Sequence, residues 1–169
     1  MESVVLVNQQ DEVLGSMEKM EAHFSGSLHR AFSLFIFNDQ KELLLQQRAH
    51  NKYHSGGLWT NSCCSRPRIG ETTLDAGTRR LNEELGFTTE LNEEFSFIYR
   101  AELDQNMIEH ELDHVLTGTY NGIPDFNTDE VCAVKYISMS YLETDIASNP
   151  ENYTTWFKII FSKVKDLIG

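Results

Sequence analysis

An α/β domain, a mixed β-sheet sandwiched between α-helices, is the architecture that the chain predicts. Short stretches of alternating or continuous apolar residues recur along the sequence. Segments with helical apolar spacing lie between and after them, an order that favours helices packed on the faces of one sheet. The length is 169 residues, 40% hydrophobic and 24% charged, which suits one domain with a real core. No internal repeat, low-complexity tract or Pro/Gly/Ser-rich linker divides it, so residues 1–169 are expected to form a single domain.

Ser3 to Val7 and Glu12 to Ser16 are predicted strands, joined by the polar turn Asn8–Asp11. Ala31 to Phe37 and Glu42 to Gln47 make a stronger pair. The first is nearly all apolar and aromatic, and Asn38–Asp39 marks the turn. Thr72 to Leu85 is predicted as a helix. Thr72 and Asp75 stand in capping-box spacing, Gly86 ends the segment, and Leu74, Leu81 and Leu85 fall on one side. Ile108 to Tyr120 and Val131 to Ile137 read as strands, and Tyr141 to Ser148 as a short helix before Pro150. A last helix spans Tyr153 to Ile168, with Trp156, Ile160, Val164 and Leu167 at helical spacing.

Bulk properties exclude several classes of function. The net charge is −12, with 14 Lys and Arg against 26 Asp and Glu. Gripping a nucleic-acid backbone needs a basic surface, so no nucleic-acid partner is expected. An anionic small ligand remains compatible if a few basic residues or a bound cation reverse the field locally. No run of about 18 apolar residues is present, so no membrane span is expected. The acidic start, MESVVLVNQQDE, argues against a secretory signal. Three cysteines, two of them adjacent, make a poor disulfide framework. The expected location is a reducing compartment, the cytoplasm.

Three motifs carry chemistry. The first is Arg79-Arg80-Leu81-Asn82-Glu83-Glu84-Leu85-Gly86-Phe87, preceded by Glu71. Its carboxylates, at a helix end near a turn, can hold a hard cation that in turn holds phosphate oxygens. The same pattern describes a solvated face with an Arg80–Glu84 ion pair. The second is Thr60-Asn61-Ser62-Cys63-Cys64-Ser65-Arg66-Pro67. Neighbouring side chains of extended backbone face opposite ways, so only one of the two cysteines can face a pocket. For either one, the plainer alternative is a small buried hydrophobe. The third is Glu109-His110-Glu111-Leu112-Asp113-His114. Glu109 and Glu111 share one face of a strand and repel unless a cation or shared proton relieves them. His23 and His29 can offer imidazole to such a cation. His110 and His114 should point the other way, as surface or packing residues.

Together with Glu18-Lys19, these motifs resemble type I isopentenyl-diphosphate isomerases, a divergent branch of the Nudix superfamily. The resemblance runs from about Val5 to Trp156. It includes His29-Arg30-Ala31-Phe32-Ser33, Gln47-Arg48-Ala49 and Leu58-Trp59-Thr60-Asn61. The first motif is similar to the Nudix box, with Ser65 at its opening glycine and Arg80 at the first glutamate of its Arg-Glu pair. Losing that glutamate weakens a pyrophosphohydrolase reading, and the isomerase branch also carries Arg there.

The resemblance implies a Nudix fold and interconversion of isopentenyl and dimethylallyl diphosphate through a tertiary carbocation. It implies Cys64 and Glu111 as the acid–base pair, Tyr99 as the support of the carboxylate, and Trp156 as the ring that meets the cation. Lys19, Arg48, Lys52 and Arg80 are implied as diphosphate contacts, and Glu84 as a ligand of Mg²⁺ bound with that diphosphate. A second divalent ion, Zn²⁺, Mn²⁺ or Mg²⁺, is implied at His23, His29, Glu109 and Glu111. The implied partner is a small isoprenoid diphosphate.

One position departs from the family. After the catalytic cysteine the pattern continues with a small residue, His and Pro, whereas here Arg66 stands for the His. That His is the third imidazole of the metal site, and a guanidinium has no lone pair to replace it. Either the ion survives on four protein ligands and water, or Arg66 itself neutralises Glu109 and Glu111. The expectation is weak or absent metal and low activity. A low-activity diphosphate-binding paralogue is the third reading, after the isomerase and the pyrophosphohydrolase.

Overall fold

The computed structural model describes residues 2–167. The chain runs β1 (Ser3–Val7), β2 (Val13–Glu18), α1 (Lys19–Ser25), β3 (His29–Phe37), β4 (Glu42–Arg48), β5 (Trp59–Thr60), β6 (Cys63–Ser65), α2 (Thr73–Leu85), β7 (Asn92–Glu102), β8 (Ile108–Thr119), β9 (Val131–Ser138), α3 (Met139–Ser148) and α4 (Thr155–Leu167).

β3 is the hub of the sheet. It runs parallel to β8 along its whole length and antiparallel to β6 through Phe32–Leu34. β7 pairs antiparallel with the outer side of β8, while β4 joins β5 and β9. A strand covered on both faces reads as a continuous apolar run, which is why Ala31 to Phe37 shows little alternation. On one face Phe35, Leu43, Leu45 and Val115 pack under α4 through Trp156, Phe157, Ile160 and Val164. On the other, Phe32, Leu34, Ile36, Leu44 and Cys63 pack under α2 through Ala76, Leu81 and Leu85. Burying one such Leu or Phe stabilises the fold by about 1.5–3 kcal/mol. The mixed sheet between helices agrees with the expected architecture.

Local signals act as read. The Thr72 hydroxyl accepts from the Asp75 amide and caps α2. Gly86 ends that helix at φ 75°, and a Cβ there would lie 2.3 Å from the Asp125 carbonyl oxygen, so the position admits only glycine. Leu74 lies in the first helical turn and stays exposed, so the buried stripe consists of Ala76, Gly77, Leu81, Glu84 and Leu85. Ile168, the expected end of the last helix, lies outside the described residues. No helix among the described residues is long and apolar enough to cross a membrane.

Candidate active site

Strand register builds the centre of the site. His29 on β3, Glu111 on β8 and Tyr99 on β7 are lateral neighbours in one row. Glu109 lies two residues before Glu111 on the same face, and both are buried. The Tyr99 hydroxyl stands 2.8 Å from Glu109 Oε1 and 2.8 Å from Glu111 Oε1, so its one proton serves both carboxylates. α1 brings in buried His23. Glu18 caps this helix by accepting from the Met20 amide, and Gly26 closes it in the left-handed region. His23 Nδ1 donates to the Lys19 carbonyl at 2.8 Å, and His29 Nδ1 to the Ser27 carbonyl at 2.9 Å. Each imidazole therefore turns Nε2 inward, 3.5 Å from Glu109 Oε2 for His23 and 3.1 Å from Glu111 Oε2 for His29.

Arg66 occupies the middle of this cluster. Its Nη2 lies 2.8 Å from Glu111 Oε2, 3.3 Å from Glu109 Oε2 and 3.1 Å from His23 Nε2. Burial works against the charged guanidinium, yet Glu111 and Glu109 outweigh it and hold the proton on. Burial likewise opposes the Glu111 carboxylate, but Arg66 and His29 keep its pKa well below the usual range. Glu111 is therefore ionised at neutral pH.

The donor set suits a divalent cation. Both imidazoles are anchored through Nδ1 to backbone carbonyls, the usual support of metal-binding histidines. His54 adds a further nitrogen, and its ligand atom lies within 4.8 Å of those of His23 and Glu109. Burial pushes the His54 imidazole down to about 3, which leaves it neutral with a lone pair to give. The space does not suit an ion. Nitrogen and oxygen ligands need to stand about 2.0–2.2 Å from a zinc-sized ion. Arg66 Nη2 lies within 3.3 Å of His23 Nε2, Glu109 Oε2 and Glu111 Oε2, and a fixed positive charge at that range repels an ion placed among them.

The short strand β6 orients the cysteines oppositely, as its extended backbone requires. Cys63 is fully buried against α2. Cys64 faces the other way, with Sγ 3.0 Å from Asn61 Oδ1 and 3.4 Å from the Ser33 hydroxyl. Burial, then the nearby Asp113, pushes the Cys64 thiol up, so it stays protonated at rest. Cys64, Glu109, Glu111, Arg66, His54 and Trp156 surround a slot of about 20 Å³. That holds roughly one water molecule. The Trp156 ring, expected to meet a substrate cation, carries the Arg48 guanidinium 5.0 Å from its centroid. The His54 ring lies edge-on at 5.5 Å.

Beside the slot lies a polar cleft of about 110 Å³ that contains Lys19, Arg48, Lys52, Arg80 and Glu84. Arg48, Tyr53, Cys64, Ser65 and Arg66 line both spaces. All four basic residues singled out from the sequence thus meet in one place. Three of them are held by acids. Lys19 pairs with Glu2 at 3.0 Å, Lys52 with Glu130 at 2.6 Å, and Arg80 with Glu84 at 2.5 Å. Glu84 also accepts from Gln46 at 2.9 Å. Nε of Arg48, Arg66 and Arg80 and Nε1 of Trp156 are buried without a partner among the described residues. Buried donors left open in this way mark a ligand or water site. His110 and His114 point away, to the Gly26 carbonyl and to Asp11.

His54 and Asp113 escape the sequence reading. Asp113 has a signal, since it follows Glu111 by two on the same strand face. The Ser33 hydroxyl donates to its Oδ1 at 3.0 Å, and Oδ2 is buried without a partner among the described residues. Burial, with Glu111 close by, pushes the Asp113 carboxyl well up. A raised folded pKa contributes stability fully below the unfolded value, and that contribution is lost as pH rises through the folded value. Asp113→Asn, which mimics the neutral acid, should match the parent near pH ~4 and become progressively more stable than it toward pH ~8. Denaturant melts across that range check this, and a variant without a growing advantage contradicts it.

The sequence profile of the NUDIX domain family matches residues 27–157. A Photobacterium profundum protein named isopentenyl-diphosphate Delta-isomerase is 50% identical, covering 96% of this chain and 94% of its own length. Proteins of that name from Pectobacterium atrosepticum and Serratia proteamaculans are each 48% identical, covering 96% and 98% of this chain and 91% of their own lengths. Among solved structures, a Deinococcus radiodurans protein superposes with a TM-score of 0.81 at 20% identity, over 99% of this chain and all of its own. A MutT protein from Methanosarcina mazei gives 0.66 at 17% identity, over 82% and 94%. These structural likenesses bear on the fold alone. Sequence profile, full-length relatives and fold agree: the chain belongs to the Nudix superfamily and, within it, to the isopentenyl-diphosphate Delta-isomerase family.

Proposed function

We propose that this protein interconverts isopentenyl and dimethylallyl diphosphate. The observation that carries the reading is a thiol, Cys64, and a carboxylate, Glu111, lining one narrow slot that shares walls with a cationic cleft. Moving the double bond puts one proton on the terminal alkene carbon and removes another from the carbon two positions along. At rest the site has a protonated thiol and an ionised carboxylate, so it holds one proton to give and one place to receive it. The tertiary cation formed between these steps needs electrostatic shelter in a dry pocket, and the Trp156 ring face supplies it once Arg48 moves off. Tyr99 keeps Glu111 oriented.

The diphosphate belongs in the neighbouring cleft. The open N–H groups of Arg48, Arg66 and Arg80 are donors in want of acceptors, which suits an anion. Glu84 presents hard oxygens to the same cleft and would hold Mg²⁺ that arrives with the diphosphate. That ion neutralises phosphate charge when bound. A five-carbon chain exceeds a slot of about 20 Å³, so substrate entry requires Arg48 to leave Trp156 for the diphosphate. A pyrophosphohydrolase has no use for a thiol and carboxylate facing one slot, and Arg80 stands where its acidic set needs a carboxylate.

Proton NMR in D₂O with isopentenyl diphosphate and Mg²⁺ tests the reading. Deuterium entering the five-carbon unit with formation of dimethylallyl diphosphate is the expected result. Phosphate release without exchange supports hydrolysis instead, and neither change supports a binding protein.

A further inference from the structure

The His/Glu centre already holds a cation, and it is part of the chain. One nitrogen, Arg66 Nη2, touches two buried carboxylates and an imidazole lone pair at 2.8, 3.3 and 3.1 Å. We infer that Arg66 is a tethered substitute for a divalent ion, so that the centre formed by His23, His29, Glu109 and Glu111 works with no metal bound there. Any divalent ion used for turnover is then the one that comes with the diphosphate. The role given to this centre in turnover rests on the proposed isomerase function, whereas the absence of a bound ion does not.

Three observations carry the inference. The first is position: Nη2 lies within 3.3 Å of His23 Nε2, Glu109 Oε2 and Glu111 Oε2, beside any ion that these three would share. The second is permanence. A guanidinium stays charged at any physiological pH and offers no lone pair, so it repels an ion without becoming a ligand. The third is what the fold asks of that position. Glu109 and Glu111 share a strand face and one Tyr99 hydroxyl, and positive charge between two such close carboxylates relieves their mutual repulsion. Arg66 supplies it from two residues beyond Cys64, a short tether fixed by β6 on one side and Pro67 on the other. The neutral His54 nitrogen makes a candidate ligand trio with His23 and Glu109, but an ion on it would sit beside Nη2, which contacts both of those residues, and would be repelled by its fixed charge.

Metal analysis by mass spectrometry tests this on the whole protein, produced with added Zn²⁺ and Mn²⁺ and then dialysed. The parent should retain far less than one transition-metal ion per chain, and its melting temperature should not rise when Zn²⁺ or Mn²⁺ is titrated in. Arg66→His vacates the centre and adds an imidazole, so this variant should approach one ion per chain and show saturable thermal stabilisation. Arg66→Lys keeps the tethered charge and should stay metal-free. Parent protein that retains a stoichiometric ion overturns the inference, and so does a folded Arg66→His that gains none. If Arg66→His fails to fold, the metal content of the parent still decides. An ion lost from the parent on His54→Ala would place it on His23, His54 and Glu109, again against the inference. The two proposals fail separately. A metal-free parent that does not turn over isopentenyl diphosphate sinks the isomerase reading alone, and an active parent with a stoichiometric ion sinks this one alone.

Discussion

Cys64→Ala and Glu111→Gln are each expected to slow isomerisation by roughly 10²–10⁴-fold, the usual contribution of a positioned general acid or base. The proposed mechanism requires both groups, because the proton added and the proton removed sit at different carbons. Glu111→Gln keeps the shape and the contact with Tyr99 but removes the basic oxygen. Cys63→Ala serves as the internal control. Cys63 packs against α2 and takes no part in the slot, so its loss should lower the melting temperature and leave turnover within a few-fold of the parent. Rates from deuterium exchange, with melting curves on the same preparations, separate the two effects. Cys63 proving essential and Cys64 dispensable would reverse the assignment and, with it, the facing of β6.

Much of the fold was legible because its signals are local. Thr72 and Gly86 bound α2, and the unbroken apolar run of β3 announces a strand covered on both faces. β7 went unread although Phe95, Phe97, Tyr99 and Ala101 alternate along it, since Glu93, Glu94 and exposed Ile98 blur the pattern. α1 went unread because seven residues carry too little periodicity, and the helix depends on its caps and on packing by Ala22 and His23. β5 and β6 have two and three residues and exist through pairing with β4 and β3, which no local window expresses.

The site was legible where strand alternation or helix spacing sets a shared face. Glu109 with Glu111 and the opposed facing of Cys63 and Cys64 follow from alternation, and Arg80 beside Glu84 from helical spacing. What stayed hidden depends on loops meeting across the fold. His54 reaches the centre from the segment between β4 and β5, and Glu2 and Glu130 hold Lys19 and Lys52 from distant parts of the chain. The contact of Arg48 with Trp156, the ring expected to meet a substrate cation, is likewise a tertiary fact. Arg66 lay between these cases. The sequence shows that an arginine stands there, but only the fold shows that it turns inward between two carboxylates.

Arg80→Ala is expected to weaken substrate binding by about 10–150-fold, equivalent to a hydrogen bond to a charged group worth about 1.5–3 kcal/mol. A diphosphate brings further negative charge to a chain already at −12, so its affinity rests on the few cations gathered in the cleft. Arg80 is the best placed of them. Burial works against its charge, but Glu84, with Glu83 and Glu130 beside it, raises its pKa further, so it remains a cation under all working conditions. Its buried Nε has no partner among the described residues, which suits it to donate to a phosphate oxygen. Because the diphosphate itself does not react, the loss should appear as a raised KM with kcat little changed. Arg80→Lys, which keeps the charge and loses the planar fork, should fall between. Lys41→Ala, on the exposed β3–β4 turn, should leave affinity unchanged. Excess chelator should weaken binding in the parent as well, by removing the Mg²⁺ that Glu84 is proposed to hold with the diphosphate. Calorimetry that finds equal affinity after Arg80→Ala, or with chelator present, would remove the diphosphate from this cleft.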